Sequence, residues 1–120
     1  MPTADTCCTI TPHFRINDGQ ADRFRELADH CVAQTRSEPK CLYDGFSFDD
    51  DRAFCREGYG DADGLLQRLG NVGPILQEVF TVATRVRLEV HGPEAELAQL
   101  RGPLAHLNPQ FCVLESGFRR

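Results

Sequence analysis

Two stretches of this chain alternate polar and apolar residues with a period of two, and the segments between them repeat at helical spacing. In the first, Ile10, Pro12, Phe14 and Ile16 alternate with Thr9, Thr11, His13 and Arg15, as in a strand buried on one face. In the second, Val86, Leu88 and Val90 alternate with Arg85, Arg87, Glu89 and His91. Pro12 predicts an edge position or a bulge, because proline cannot donate to a ladder. Phe24, Leu27, Ala28, Cys31 and Thr35 predict an amphipathic helix over about 20 to 36. Cys41 to Phe48 and Ala53 to Tyr59 read as a hairpin around the charged turn Asp49-Asp50-Asp51. Leu65, Leu69, Val72, Leu76, Val79 and Phe80 line one face of a second helical segment that Asp61 or Asp63 can cap. Gly73-Pro74 predicts an interruption there, with two shorter helices meeting at Asn71 to Pro74. Beyond Gly92-Pro93-Glu94 a short helix turns Leu97, Leu100, Leu104 and Leu107 inward, and Gln110 to Phe118 predicts a last strand.

The first six elements, βαββαβ, are the split arrangement of a ferredoxin-like α+β fold, with an antiparallel sheet carrying both helices on one face. A short extra helix and a C-terminal strand complete one domain spanning residues 1–120. A chain of 120 residues buries roughly two-thirds of the surface its unfolded form exposes, enough for a core without staples. The second face of the sheet, with Thr9, Thr11, His13 and Arg15 from one strand and Arg85, Arg87, Glu89 and His91 from the other, either meets solvent or faces an identical sheet in a C2 dimer.

Composition narrows the partners. With 13 basic against 18 acidic side chains the net charge is -5, and the basic residues form no stripe, so nucleic acid is not an expected partner. The longest apolar run, Phe111 to Leu114, is far short of the ~20 residues of a spanning helix, and no leader-like segment opens the chain. A cytoplasmic protein with no membrane partner is expected. The six cysteines, at 7, 8, 31, 41, 55 and 112, lack zinc-ligand spacing and read as reduced thiols, with no metal or cofactor expected.

Against this order, the stretch Ser37-Glu38-Pro39-Lys40-Cys41-Leu42-Tyr43, the strand Cys55-Arg56-Glu57-Gly58-Tyr59 and the helix from Asp61 to Val72 resemble the antibiotic biosynthesis monooxygenase family of dimeric α/β barrels, over about residues 8–118. The resemblance implies a ferredoxin-like protomer, a homodimer through facing sheets and a small apolar pocket between sheet and helices. It also implies an oxygenase that needs no metal, flavin or haem. Where the family often has a helical histidine this chain has Arg68, and Tyr59 stands where a tryptophan is frequent.

Oxygenation without a cofactor requires an electron-rich substrate, a base to deprotonate it, a dry cavity and a donor for the developing phenolate. Glu57 is the candidate base; the alternative for this strand carboxylate is an ion pair with Arg85 or Arg87. Tyr59 and Asn71 are candidate catalytic donors, with a packing role and a local cap as their respective alternatives. Tyr43, Phe46, Phe48, Arg68 and Phe80 are the candidate substrate-binding residues. The expected function is a cofactor-independent monooxygenase-like protein oxidising a small electron-rich aromatic of quinol or phenol type. The alternatives are a non-catalytic barrel that binds a small hydrophobic ligand or acts in a stress response, and an isomerase or lactone-handling enzyme.

Overall fold

The computed structural model describes residues 3–120. Five strands form one open sheet in the order β2-β3-β1-β4-β5. They are β1 (Cys8–Ile16), β2 (Cys41–Asp49), β3 (Arg52–Tyr59), β4 (Ala83–Gly92) and β5 (Gln110–Val113). The helices are α1 (Ala21–Thr35), α2 (Ala62–Val82) and α3 (Glu94–Leu100), with a 3-10 turn at Ala105–Leu107. The α+β, ferredoxin-like order predicted from periodicity is therefore present.

β1 is a central strand, antiparallel to both β3 and β4, which excludes the edge position predicted as one choice for Pro12. The other choice is close by. In the β1–β4 ladder His13 pairs with Arg87 and Phe14 with Arg85, so Val86 has no partner and β4 bulges there. One inserted residue reverses which side chains face the core. Val86 is 44% exposed, while Arg85 turns toward the helices beside Leu88. The simple alternation, with Arg85 outward and Val86 inward, fails at this point.

α2 is one continuous helix containing Pro74, not two helices meeting at Asn71 to Pro74. Interior proline costs about 3 kcal/mol, but buried residues lie on both sides of it, Leu65 and Val72 before, Val79 and Val82 after. Each buried aliphatic side chain contributes ~1.5–3 kcal/mol, so packing keeps both halves in one helix. Asp61 caps the helix, its Oδ1 accepting from the Gly64 amide at 2.9 Å. The last strand ends at Val113, shorter than the predicted Gln110 to Phe118, and it runs parallel to β4.

The core has two clusters. One gathers Ile10, Tyr59, Leu65, Leu88, Val90, Leu97 and Leu100, and the other Phe14, Phe24, Leu27, Val79 and Val82. Between them sheet and helices leave a chamber. The opposite sheet face is uncovered, and no described helix is long and apolar enough to cross a membrane.

Candidate active site

Side chains of β3 alternate, so Cys55, Glu57 and Tyr59 all point to the helix side of the sheet. Each is buried, at 1%, 3% and 0% exposure. A carboxylate at such a depth requires partners, and Glu57 has three. Arg68 of α2 brings Nε to 3.0 Å from Oε1 and Nη2 to 3.3 Å from Oε2. The Tyr59 hydroxyl donates to Oε1 at 2.7 Å and the Cys55 thiol approaches Oε2 at 2.9 Å. The ion pair thus joins β3 to α2, replacing the predicted alternative with Arg85 or Arg87.

A second carboxylate stands beside the first. Asp44 of β2 pairs in register with Glu57, and the Cys55 thiol lies 3.3 Å from Asp44 Oδ1. Asp44 Oδ2 is shielded from solvent, makes no hydrogen bond and lies 3.9 Å from Arg68 Nη1. Arg68 Nη1 also donates to the Thr35 hydroxyl, which in turn donates to the Cys31 carbonyl at 2.7 Å. Thr35 therefore ties the guanidinium to α1.

Burial pushes the Glu57 carboxyl above the ordinary range, against the opposing pull of the Arg68 charge and the thiol and phenol hydrogen bonds. The Cys55 and Tyr59 protons are held firmly, first by burial and then by the neighbouring Glu57 charge. Burial opposes the charge of Arg68, yet Glu57, Tyr59 and Asp44 together raise its pKa, so it remains a cation. One guanidinium faces two carboxyl groups, an arrangement that favours keeping one proton in the cluster.

Glu57 and Arg68 form part of the wall of an apolar cavity of about 80 Å³. Ile10, Pro12 and Phe14 line it from β1, Phe46 from β2, Leu69, Leu76, Val79 and Phe80 from α2, and Leu107 from the 3-10 turn. Arg85 and Leu88 complete it from β4. The cavity is not sealed from solvent: Phe80 on its wall is 47% exposed.

Of the sequence-derived candidates, Glu57, Arg68, Phe46 and Phe80 come together on this wall. Tyr59 lies behind it, bonded to Glu57. Asn71 does not reach the chamber: it is exposed, its amide donating to the Gln34 carbonyl and to Glu38 Oε1 at 3.3 and 3.2 Å, which ties α2 to the end of α1. Phe48 packs edge-on against Phe24 under the Arg25 guanidinium, away from the chamber. Tyr43 lies on the open sheet face, over Gly58 and under Arg56. Asp44 and Cys55 are absent from the sequence-derived site candidates, while Thr35 enters there only as a helix-face residue and Arg85 only as an outward strand residue and alternative partner of Glu57. Counting the hairpin ladder back from its turn would have placed Asp44 opposite Glu57.

Two groups of side chains approach the spacing of metal ligands. Asp44, Cys55 and Glu57 form one, but the Arg68 cation occupies their midst; Glu89, His91 and Cys112 form the other, on the open face. There Arg87 already holds Glu89 at 2.7 Å and His91 at 3.0 Å from it. Neither group is built into the chamber chemistry as a cation site.

The sheet and its two covering helices define a protein with the antibiotic biosynthesis monooxygenase fold. SnoaB, a cofactor-independent oxygenase from Streptomyces nogalater, superposes with a TM-score of 0.64 at 14% identity, over 71% of this chain and 90% of that one. A candidate antibiotic biosynthesis monooxygenase from Nitrosomonas europaea gives 0.70 at 11% identity, over 77% and 94%. The chain belongs to the same family as MupZ from Pseudomonas fluorescens, whose crystal structure it matches with a TM-score of 0.95 and 42% identity, over 100% of this chain and 94% of that one. No family model matches the sequence, and comparison with curated proteins finds no match.

Proposed function

We propose that the protein is a cofactor-independent monooxygenase-like enzyme acting on a small electron-rich substrate of quinol or phenol type, with Glu57 as its acid–base residue. The observation that carries this reading is a carboxyl group with a raised pKa at the wall of an apolar chamber, held by Arg68, Tyr59 and Cys55. Such a group is tuned toward neutrality, where a general base works best. Glu57 takes a proton from an activated CH₂ or phenolic position, and the resulting anion is stabilised by the Arg68 charge. The anion supplies electrons to dioxygen; for an activated CH₂, one oxygen atom becomes the product carbonyl and the other leaves as water. Metal-stripped protein incubated with quinols and anthrones is expected to consume oxygen, with the rate at least a hundredfold lower in Glu57→Gln. Saturable ligand binding without turnover would instead favour the non-catalytic binder.

A second reading is supported by the lining. Aliphatic side chains (Ile10, Leu69, Leu76, Val79, Leu88, Leu107) outnumber the phenylalanines Phe14, Phe46 and Phe80, and such a wall suits a flexible chain as well as a flat ring. The same carboxyl pair then moves a proton without oxygen chemistry, in an isomerisation or in lactone opening and closure. Product formation with no oxygen uptake distinguishes this outcome.

The working unit in this reading is a cytoplasmic homodimer through the open sheet face. Tyr43 and Val86, 37% and 44% exposed, are apolar residues that a second sheet would cover, and sedimentation at twice 13.4 kDa is the expected result. Six free thiols, four of them buried, suit a reducing compartment.

A further inference from the structure

The chamber contains a second cation with no role in the acid cluster. Arg68 is neutralised by Glu57, but Arg85 on the same wall bonds only the Leu107 carbonyl, from Nη2 at 2.8 Å. Among the described residues no carboxylate forms an ion pair with Arg85. Burial alone perturbs it, lowering its pKa without an opposing acidic group. An arginine in protein remains charged, so apart from the Glu57–Arg68 pair the apolar lining carries one positive charge that no carboxylate balances. The charge is there because of a specific irregularity: the bulge at Val86 turns Arg85 inward from the position that regular alternation would give it. Bulges beside sites commonly re-aim a side chain in this way.

We propose that Arg85 is the anion-binding residue of the chamber, and that the substrate is a largely apolar molecule carrying a carboxylate, with its reacting position toward Glu57. The inference rests on the reading of this chamber as the substrate site. One edge of the guanidinium is engaged by Leu107, and the remaining fork matches one planar carboxylate in a bidentate pair. A phosphate dianion would leave a charge uncompensated among Leu88, Leu107 and Phe80. The apolar body would lie along Phe14, Leu76 and Val79, which places the two ends of the molecule against two different arginines.

The test is binding, which does not depend on the reaction class. Octanoate, 1-octanol and octyl phosphate are titrated into the wild-type protein, Arg85→Met, Arg85→Lys and Glu57→Gln, with amide chemical shifts as readout and melting temperature as the check on folding. Octanoate is expected to bind at least tenfold more tightly than octanol to the wild type. Arg85→Met should remove that preference and leave octanol within twofold, Arg85→Lys should restore part of it, and Glu57→Gln should retain it. No saturable octanoate binding at millimolar concentration, an unchanged preference in Arg85→Met, or tighter binding of octyl phosphate than octanoate overturns the proposal. If the preference survives in Glu57→Gln while the activity of wild type and variant is equal, the acid–base role of Glu57 fails and the anion site stands.

Discussion

Asp44 and Glu57 sit directly opposite each other on β2 and β3, two carboxyl groups on the same face with one guanidinium and one thiol between them. Like charges in cross-strand register repel. Their juxtaposition is tolerated because Arg68 supplies a charge and because Glu57 holds its proton more tightly than an ordinary glutamate does.

The pH dependence follows from that proton. The folded-state pKa of Glu57 lies above the ordinary value of 4.5, so the stability it contributes is fully present below that value. It is lost as pH rises through the raised folded pKa. Glu57→Gln should flatten this part of the stability curve, read by denaturant melts across pH. In activity, a Glu57 that acts as base gives a rate rising with pH through the same region, whereas one that acts as acid gives a falling rate. A profile unchanged in Glu57→Gln would remove Glu57 from the chemistry.

Arg68→Met should be among the costly substitutions. The side chains of Arg68 and Glu57 are only 4% and 3% exposed, and removing one partner of a buried pair costs about 3–5 kcal/mol. The loss should be largest at pH 8 and shrink as pH falls, because a protonated Glu57 no longer needs a cation. Equal destabilisation at pH 5 and pH 8 would contradict this account.

Pro74→Ala should stabilise the protein. The proline is exposed in the interior of α2, and alanine restores an amide donor for the helix ladder. A gain of about 1–3 kcal/mol is expected, visible as a rise in melting temperature of at least about 3 °C. A lower melting temperature would mean that the proline bends α2 into a shape that the packing around Val72 and Val79 needs.

Thiol labelling should separate two classes of cysteine. Burial pushes Cys8 up to about 12 and Cys31 to about 11, and raises Cys55 as well, while Cys112 is partly exposed. Iodoacetamide at pH 8 should modify Cys112 while Cys8, Cys31 and Cys55 stay intact until the protein unfolds. Peptide mapping that finds Cys55 labelled as fast as Cys112 would show that the cluster opens to solvent.

The periodicities in the sequence identify the elements well because burial imposes them: the spacing Phe24, Leu27, Cys31 and the alternation of β1 survive in the structure. Where one competing effect overrides another, local pattern misleads. Pro74 argues for a break that packing on both sides suppresses, and the arginine-rich face of β4 conceals an inserted residue that only a partner strand reveals. The site shows the same division. In the sequence Glu57 stands out as a strand carboxylate and Arg68 only as the residue where the resembled family often has histidine, and their pairing depends on how α2 crosses the sheet. Asp44 looks like any turn-proximal acid until the hairpin register places it. Asn71 reads as a pocket residue only if the helix breaks there, and an unbroken α2 instead gives it to the seam with α1.

The bulge at Val86 makes the chamber's charge a matter of counting rather than of composition. Arg85 faces the cavity because Val86 is looped out between Arg85 and Arg87: a regular ladder through Val86 would set Val86 against Phe14 and turn Arg85 to the far side of the sheet. Deleting Val86 would leave Arg85 opposite Phe14 and still inward, because the pairs on either side of the bulge already follow one another without it. A point substitution in the lining changes one contact, whereas pairing Val86 into the ladder would exchange the chamber's charged residue for an aliphatic one.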